Sequence, residues 1–163
     1  MHPLLWFTGI LRALTQSQWQ YASDMIKFII IAIAILHILE EYFGGFVNYI
    51  NQIVPGVTIL HFVFINILFL GFVVFAVFSS NNFLKLTVPL LLLINAAIHI
   101  GGFILFRKYN PGFVTAFFCY VPISIYFIKK LKPQREVFFK SACLAALLMA
   151  LPFLFQAIRL LLK

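Results

Sequence analysis

The chain has 163 residues, is 64% hydrophobic and only 10% charged, and carries a formal net charge of +8. A soluble domain is roughly 45–50% apolar and about 25% charged, which excludes a water-soluble enzyme or binding module. Several apolar runs exceed the ~20 residues that cross a ~30 Å hydrocarbon core, so the fold class is all-α, a polytopic membrane helix bundle.

Residues 1–24 join a short apolar patch to a polar Gln/Ser/Trp stretch and predict an interfacial segment, with Trp6 and Trp19 at headgroup level. Asp24 is placed to N-cap the next helix, and His2 reads as incidental. The first span is predicted over 25–46, stopping at Gly44-Gly45. It contains Glu40 and Glu41 and lacks a small-x-small cleavage site, so it reads as a retained span and not a signal peptide. A polar connection, "NYINQIVPG" (48–56), follows, with Pro55-Gly56 as its turn signal. Further spans are predicted over 57–79, over 83–106 with Pro89 inside as a kink, over 112–128, and over 137–158 with Pro152 inside. "RKYNPG" (107–112) is a tight turn, Pro fixing φ and Gly supplying positive φ. That makes about five transmembrane helices in a single membrane domain, 1–163, with no internal repeat.

The charges then set the topology. Arg12, Lys27, Lys85, Lys129, Lys130, Lys132, Arg135 and Lys140 fall on one side, and Arg107, Lys108, Arg159 and Lys163 on the other. The positive-inside rule predicts a cytoplasmic N-terminus and an exoplasmic C-terminus. Because the basic residues flank the spans and form no patch, no nucleic acid is expected as a partner, only membrane lipids and a lipophilic substrate. Cys119 and Cys143 fall in separate spans, about 10 Å apart in depth at ~1.5 Å per residue, so no disulfide is expected. The 21 phenylalanines read as lipid-facing bulk and core packing.

Glu40 and Glu41 are two of only four acidic residues. An ionised carboxylate in hydrocarbon costs at least ~2.5–3.5 kcal/mol, so two adjacent ones require a cation, a proton or a wet cavity. Threading the spans places His37, Glu40 and Glu41 in the exoplasmic half of the first. His61 lies about 6 Å below the same face, and His99 roughly 10 Å below it, with Asn95 one turn deeper. Three histidines, two glutamates and an asparagine thus converge on one layer of one leaflet. His37 and Glu41 are i,i+4, as are Asn95 and His99, so each pair shares a helix face, while Glu40 and Glu41 are rotated about 100° apart. Gly101-Gly102 admits close approach by another element. Arg159 has two readings: an ion pair with Glu40 or Glu41, or a side chain snorkelling to headgroups.

The motifs "HILEE" (37–41), "NAAIH" (95–99) and "YNPG" (109–112), in this order and topology, resemble the HXXEE family of bacterial integral membrane proteins. The resemblance extends over about residues 28–128. It carries over His37, Glu40, Glu41, Asn95, His99, Tyr109, Asn110, Pro111 and Gly112, but not His61, and it names a site without naming a reaction.

Three functions fit these residues. The first is a metal-dependent hydrolase acting on a lipid or other lipophilic substrate. His37, His99 and Glu41 would hold zinc or iron, Glu40 would be the general base on a water polarised by the metal, and Asn95 would stabilise an oxyanion under a "YNPG" roof. The HExxH spacing of zincins is absent. The second is a metal-free hydrolase similar to the intramembrane glutamate proteases, although the EExxxR run of those enzymes is not matched, since "YFGGF" follows the glutamates. The third is a non-enzymatic cation, proton or ligand-binding protein. It lacks a chain of ionisable groups crossing the membrane. A plainer alternative, protonated glutamates acting as glue between helices, is disfavoured because such glue is ordinarily Ser, Thr or Asn.

Overall fold

In the computed structural model, which describes residues 25–161, the chain is a bundle of helices with no strand among the described residues. The first helix, α1, runs over 25–43, and a short helix α2 spans Phe46–Asn51. The long helices that follow are α3 (Ile59–Phe78) and α4 (Asn82–Phe106). Next comes a composite rod: α5 (Phe113–Thr115), a π-helical turn (Ala116–Tyr120) and α6 (Val121–Leu131). The last, α7, spans Arg135–Leu161. Of the described helices, α3, α4, the α5–α6 rod and α7 are long and apolar enough to cross a membrane. Helix α1 is of comparable length but carries Lys27, Glu40 and Glu41. Together these five account for the expected count. The N-terminal segment 1–24, with Trp6, Trp19 and the Asp24 cap, lies outside the described residues.

Local chemistry explains the ends. Helix α1 stops three residues sooner than expected because Gly45 takes a left-handed conformation (φ 77), a region glycine enters at little cost. The stretch expected as an irregular polar connection begins instead with α2. The remaining loop is tied down by Asn51, whose carboxamide oxygen accepts from Gly56 N and Val57 N while its nitrogen donates to the Val47 and Val57 carbonyls. Thr58 caps α3 by accepting from His61 N, and Asn81 caps α4 by accepting from Phe83 N.

Helix α4 is the hub, packing against α3, the α5–α6 rod and α7. One of its faces joins Val88, Leu92 and Ala96 to Ile30 of α1, to Val73, Ala76 and Val77 of α3, and to Ala116, Tyr120 and Phe127 of the rod. The other brings Leu86, Leu90 and Leu91 against Ala145 of α7. In lipid there is no hydrophobic gain from pairing two apolar helices, so close van der Waals fit must hold them. Fully buried Ala34, Ala76, Ala96, Ala116 and Ala145 let the backbones approach. At one end, Gln156 and Arg159 of α7 donate to the carbonyls of Pro55 and Gly56, which fastens the last helix to the α2–α3 loop. Arg159 therefore pairs with neither glutamate. Cys119 and Cys143 are both free thiols.

Candidate functional site

At the end of the bundle where α1 and α4 terminate, His37, Glu41 and His99 meet, each with one donor atom within 4.8 Å of the others. All three are nearly inaccessible, 2%, 5% and 2% exposed. His99 Nε2 is 3.2 Å from Glu41 Oε1, and His37 Nε2 is 3.6 Å from the same oxygen. Donors arranged tetrahedrally around zinc at ~2.0–2.1 Å lie about 3.3 Å from one another. The group thus has metal-site dimensions.

The outer ends of both imidazoles decide which way their lone pairs point. The Thr115 hydroxyl has one proton and two acceptors in reach, Glu40 Oε2 at 2.5 Å and the Gly112 carbonyl at 3.3 Å. It donates to the nearer, charged oxygen, so it must accept from His37 Nδ1, 2.7 Å away. Asn110 donates its amide to the His99 carbonyl, and this fixes its oxygen 3.2 Å from His99 Nδ1 as an acceptor. Both Nδ1 atoms therefore carry a proton, and in the neutral form of either ring it is an Nε2 lone pair that faces Glu41 Oε1. His37 Nε2 is buried with no hydrogen-bond partner. Such outer partners are what metal-ligating histidines ordinarily have.

The two glutamates have separate tasks. Glu40 Oε1 accepts from the Tyr109 hydroxyl (2.7 Å) and Val114 N (3.0 Å), and Oε2 accepts from Thr115 N (2.7 Å) and the Thr115 hydroxyl. A carboxylate has about four lone-pair sites, and all are filled. Glu40 thus caps the first turn of α5 and, through Thr115, orients His37. It has no acceptor left for a water proton, so the general-base role expected of it does not fit this geometry.

The turn 109–112 covers the group. Gly112 (φ 95) lies so close over the rings that a Cβ there would be 2.6 Å from His99 Cε1 and 2.8 Å from His37 Cε1. Pro111 packs on Gly44, where a Cβ would be 2.8 Å from the proline ring. Gly102 is closely approached by the Asn110 amide. Of two other expected residues, Asn95 lies one turn before His99 on α4, its Oδ1 buried and without a hydrogen-bond partner. His61 belongs to the α3 cap, its Nδ1 accepting from Thr58 N at 3.2 Å.

Two functional neighbours escaped the sequence reading, Thr115 and Tyr120. Tyr120 is fully buried and its ring lies 4.4 Å from that of His37. In an α-helix residues 115 and 120 would be about 140° apart, so no common face is legible. The π turn at Ala116–Tyr120 pairs residues five apart and lets both reach His37. The available signal was the set of hydroxyls at 115, 120 and 124 in an otherwise apolar span.

Two expectations follow. Thr115→Val keeps the shape but removes both the acceptor for His37 and the donor to Glu40, so any metal held by His37, Glu41 and His99 should bind about 10–100-fold more weakly. Thr115→Ser should keep it, and competition against a chelator of known affinity measures both. The second concerns Tyr109, half exposed outside the spans. Burial, then its bond to Glu40 and that carboxylate's charge, push its phenol up to about 12. Its folded value is raised, so the Tyr109–Glu40 bond should be at full strength below pH ~10 and be lost as pH rises through about 12. In a 295 nm titration, the difference between wild type and Tyr109→Phe should show this late ionisation.

No curated protein and no solved structure matches the chain. One family does, described as "Protein of unknown function with HXXEE motif", over residues 28–127. That is most of the chain and includes α1, α4 and the turn that covers the group, and so the chain belongs to the HXXEE family.

Proposed function

We propose that the protein holds a divalent metal, zinc or iron, at His37, Glu41 and His99, and uses it in hydrolysis of a lipid or other lipophilic substrate. The observation that carries this reading is the convergence of two imidazole lone pairs, each set by an outer hydrogen bond, on one buried carboxylate oxygen. Three electron-rich atoms in a dry site repel one another unless a cation lies between them. Two histidines and one carboxylate suit zinc with an open fourth position, and equally the facial triad of non-haem iron.

A cation held there supplies a Lewis acid and lowers the proton affinity of a coordinated water. With Glu40 saturated, Glu41 is the carboxylate left to take a proton, through the oxygen not shared by the histidines. The charge bias of the loops turns this end of the bundle toward the exoplasmic side of a plasma membrane. The metal-free reading needs a glutamate free to activate water, and Glu40 is not free. It survives only if Glu41 is neutralised by protonated histidines.

Elemental analysis of protein purified without chelators distinguishes the two. Near-stoichiometric zinc or iron, falling below about a tenth in His99→Ala, is expected for a site that loses one of three ligands. A folded wild type free of metal, and unable to take up added zinc or ferrous iron, would move the assignment to a protonated His/Glu site.

A further inference from the structure

We infer that the substrate of this site is a single-chain amphiphile that enters sideways, between the end of α1 and the start of α3, with its polar head at Glu41. The inference rests on the metal assignment above and adds the route and the ligand class. The group is enclosed on most sides: Gly112 lies over both Cε1 atoms, the Tyr120 ring lies tilted against His37, Asn110 occupies the outer nitrogen of His99, and Phe46 lies 5.9 Å from the His99 ring.

The Glu41 side differs. There Glu41 lines a cavity of about 260 Å³, together with Tyr42, Gly45, Asn48, Ile59 and Phe62. Small-molecule pockets are usually roughly 300–1,000 Å³, so this one has room for a headgroup and the start of one chain. Its walls are graded. Glu41 and Phe62 are each only 5% exposed, Asn48 is an exposed amide on α2, and Tyr42 and Ile59 are 53% and 47% exposed on the outer surface of the bundle. An outer helix surface of this apolar kind faces acyl chains, while Asn48 lies in the short helix between spans where headgroups sit. A water-soluble substrate would gain nothing from such a wall. An amphiphile matches it at both ends.

Cobalt(II) reports on ligands through its visible spectrum, and hydroxamates bind such centres head-first. Cobalt-loaded protein in lipid nanodiscs is titrated with dodecanohydroxamate and, separately, with acetohydroxamate. Wild type should bind the long-chain compound at least tenfold more tightly. Ile59→Trp, which fills the mouth, should lower that affinity at least tenfold while leaving the acetohydroxamate affinity and cobalt content unchanged. Leu68→Trp, on the outer surface of the same helix and away from the cavity, controls for partitioning into the bilayer and should change nothing. Equal long-chain affinity in wild type and Ile59→Trp would overturn the route, even with cobalt bound. Absence of a cobalt spectrum in wild type would overturn the metal assignment and the route with it.

Discussion

Glu40→Gln and Glu41→Gln, one residue apart, should fail in opposite ways. At Glu40 the carboxylate faces two pairs of donors, Tyr109 and Val114 on one oxygen and the two Thr115 groups on the other. A glutamine has one carbonyl oxygen, so its NH₂ must confront one of those pairs. Hydrogen bonds to a charged group are worth ~1.5–3 kcal/mol each. The amide will turn toward the more exposed pair, where the tyrosine hydroxyl can rotate, so a loss of about 2–3 kcal/mol is expected, read as a lower thermal unfolding midpoint in detergent. Metal affinity should fall only as far as His37 loosens. At Glu41 the substitution keeps the side-chain volume and removes a buried charge. Stability without metal should stay within ~1 kcal/mol of wild type or rise, while bound metal is lost. If Glu41→Gln retained its metal while Glu40→Gln lost it without unfolding, the division of labour between the two carboxylates would have to be reversed.

The second large effect is expected at Gly112. Alanine there meets two independent penalties. A non-glycine residue in the left-handed region costs roughly 1–2 kcal/mol, and overfilling a packed site typically costs ~1–3 kcal/mol. The second applies because neither ring can withdraw: His37 is held by Thr115 and lies against the Tyr120 ring, and His99 is held by Asn110. Gly112→Ala should therefore cost about 2–5 kcal/mol and displace the imidazoles, with loss of bound metal. Gly45→Ala separates the two contributions. That glycine has φ +77, and a Cβ placed on it would meet nothing within 4 Å, so the substitution should show the backbone cost alone and keep the metal. Equal losses at the two positions would mean that the turn over the histidines yields easily and does not hold them.

The sequence by itself determined the class of the molecule, the number of long helices and the grouping of His37, Glu41 and His99. Apolar runs of span length have only one solution in a bilayer, because every backbone polar group must be satisfied within the helix. The i,i+4 spacing of His37 and Glu41 puts both on one face whatever surrounds them, and antiparallel threading brings His99 to the same level. The spacing also foretold that Glu40 and Glu41 point in different directions. It gave no clue to what Glu40 points at, since its four donors come from residues 69 to 75 positions along the chain. Only tertiary packing decided that Glu40 accepts four hydrogen bonds at the start of α5, that Arg159 holds a loop and not a glutamate, and that His61 caps α3 outside the His37/Glu41/His99 group. The π turn was equally invisible: it re-registers Thr115 and Tyr120 by one extra residue, and that shift gives His37 both its hydrogen-bond acceptor and an aromatic ring against its own. Periodicity reads one helix at a time, whereas the tautomer of a histidine and the free lone pairs of a carboxylate are set by which other helix lies against it.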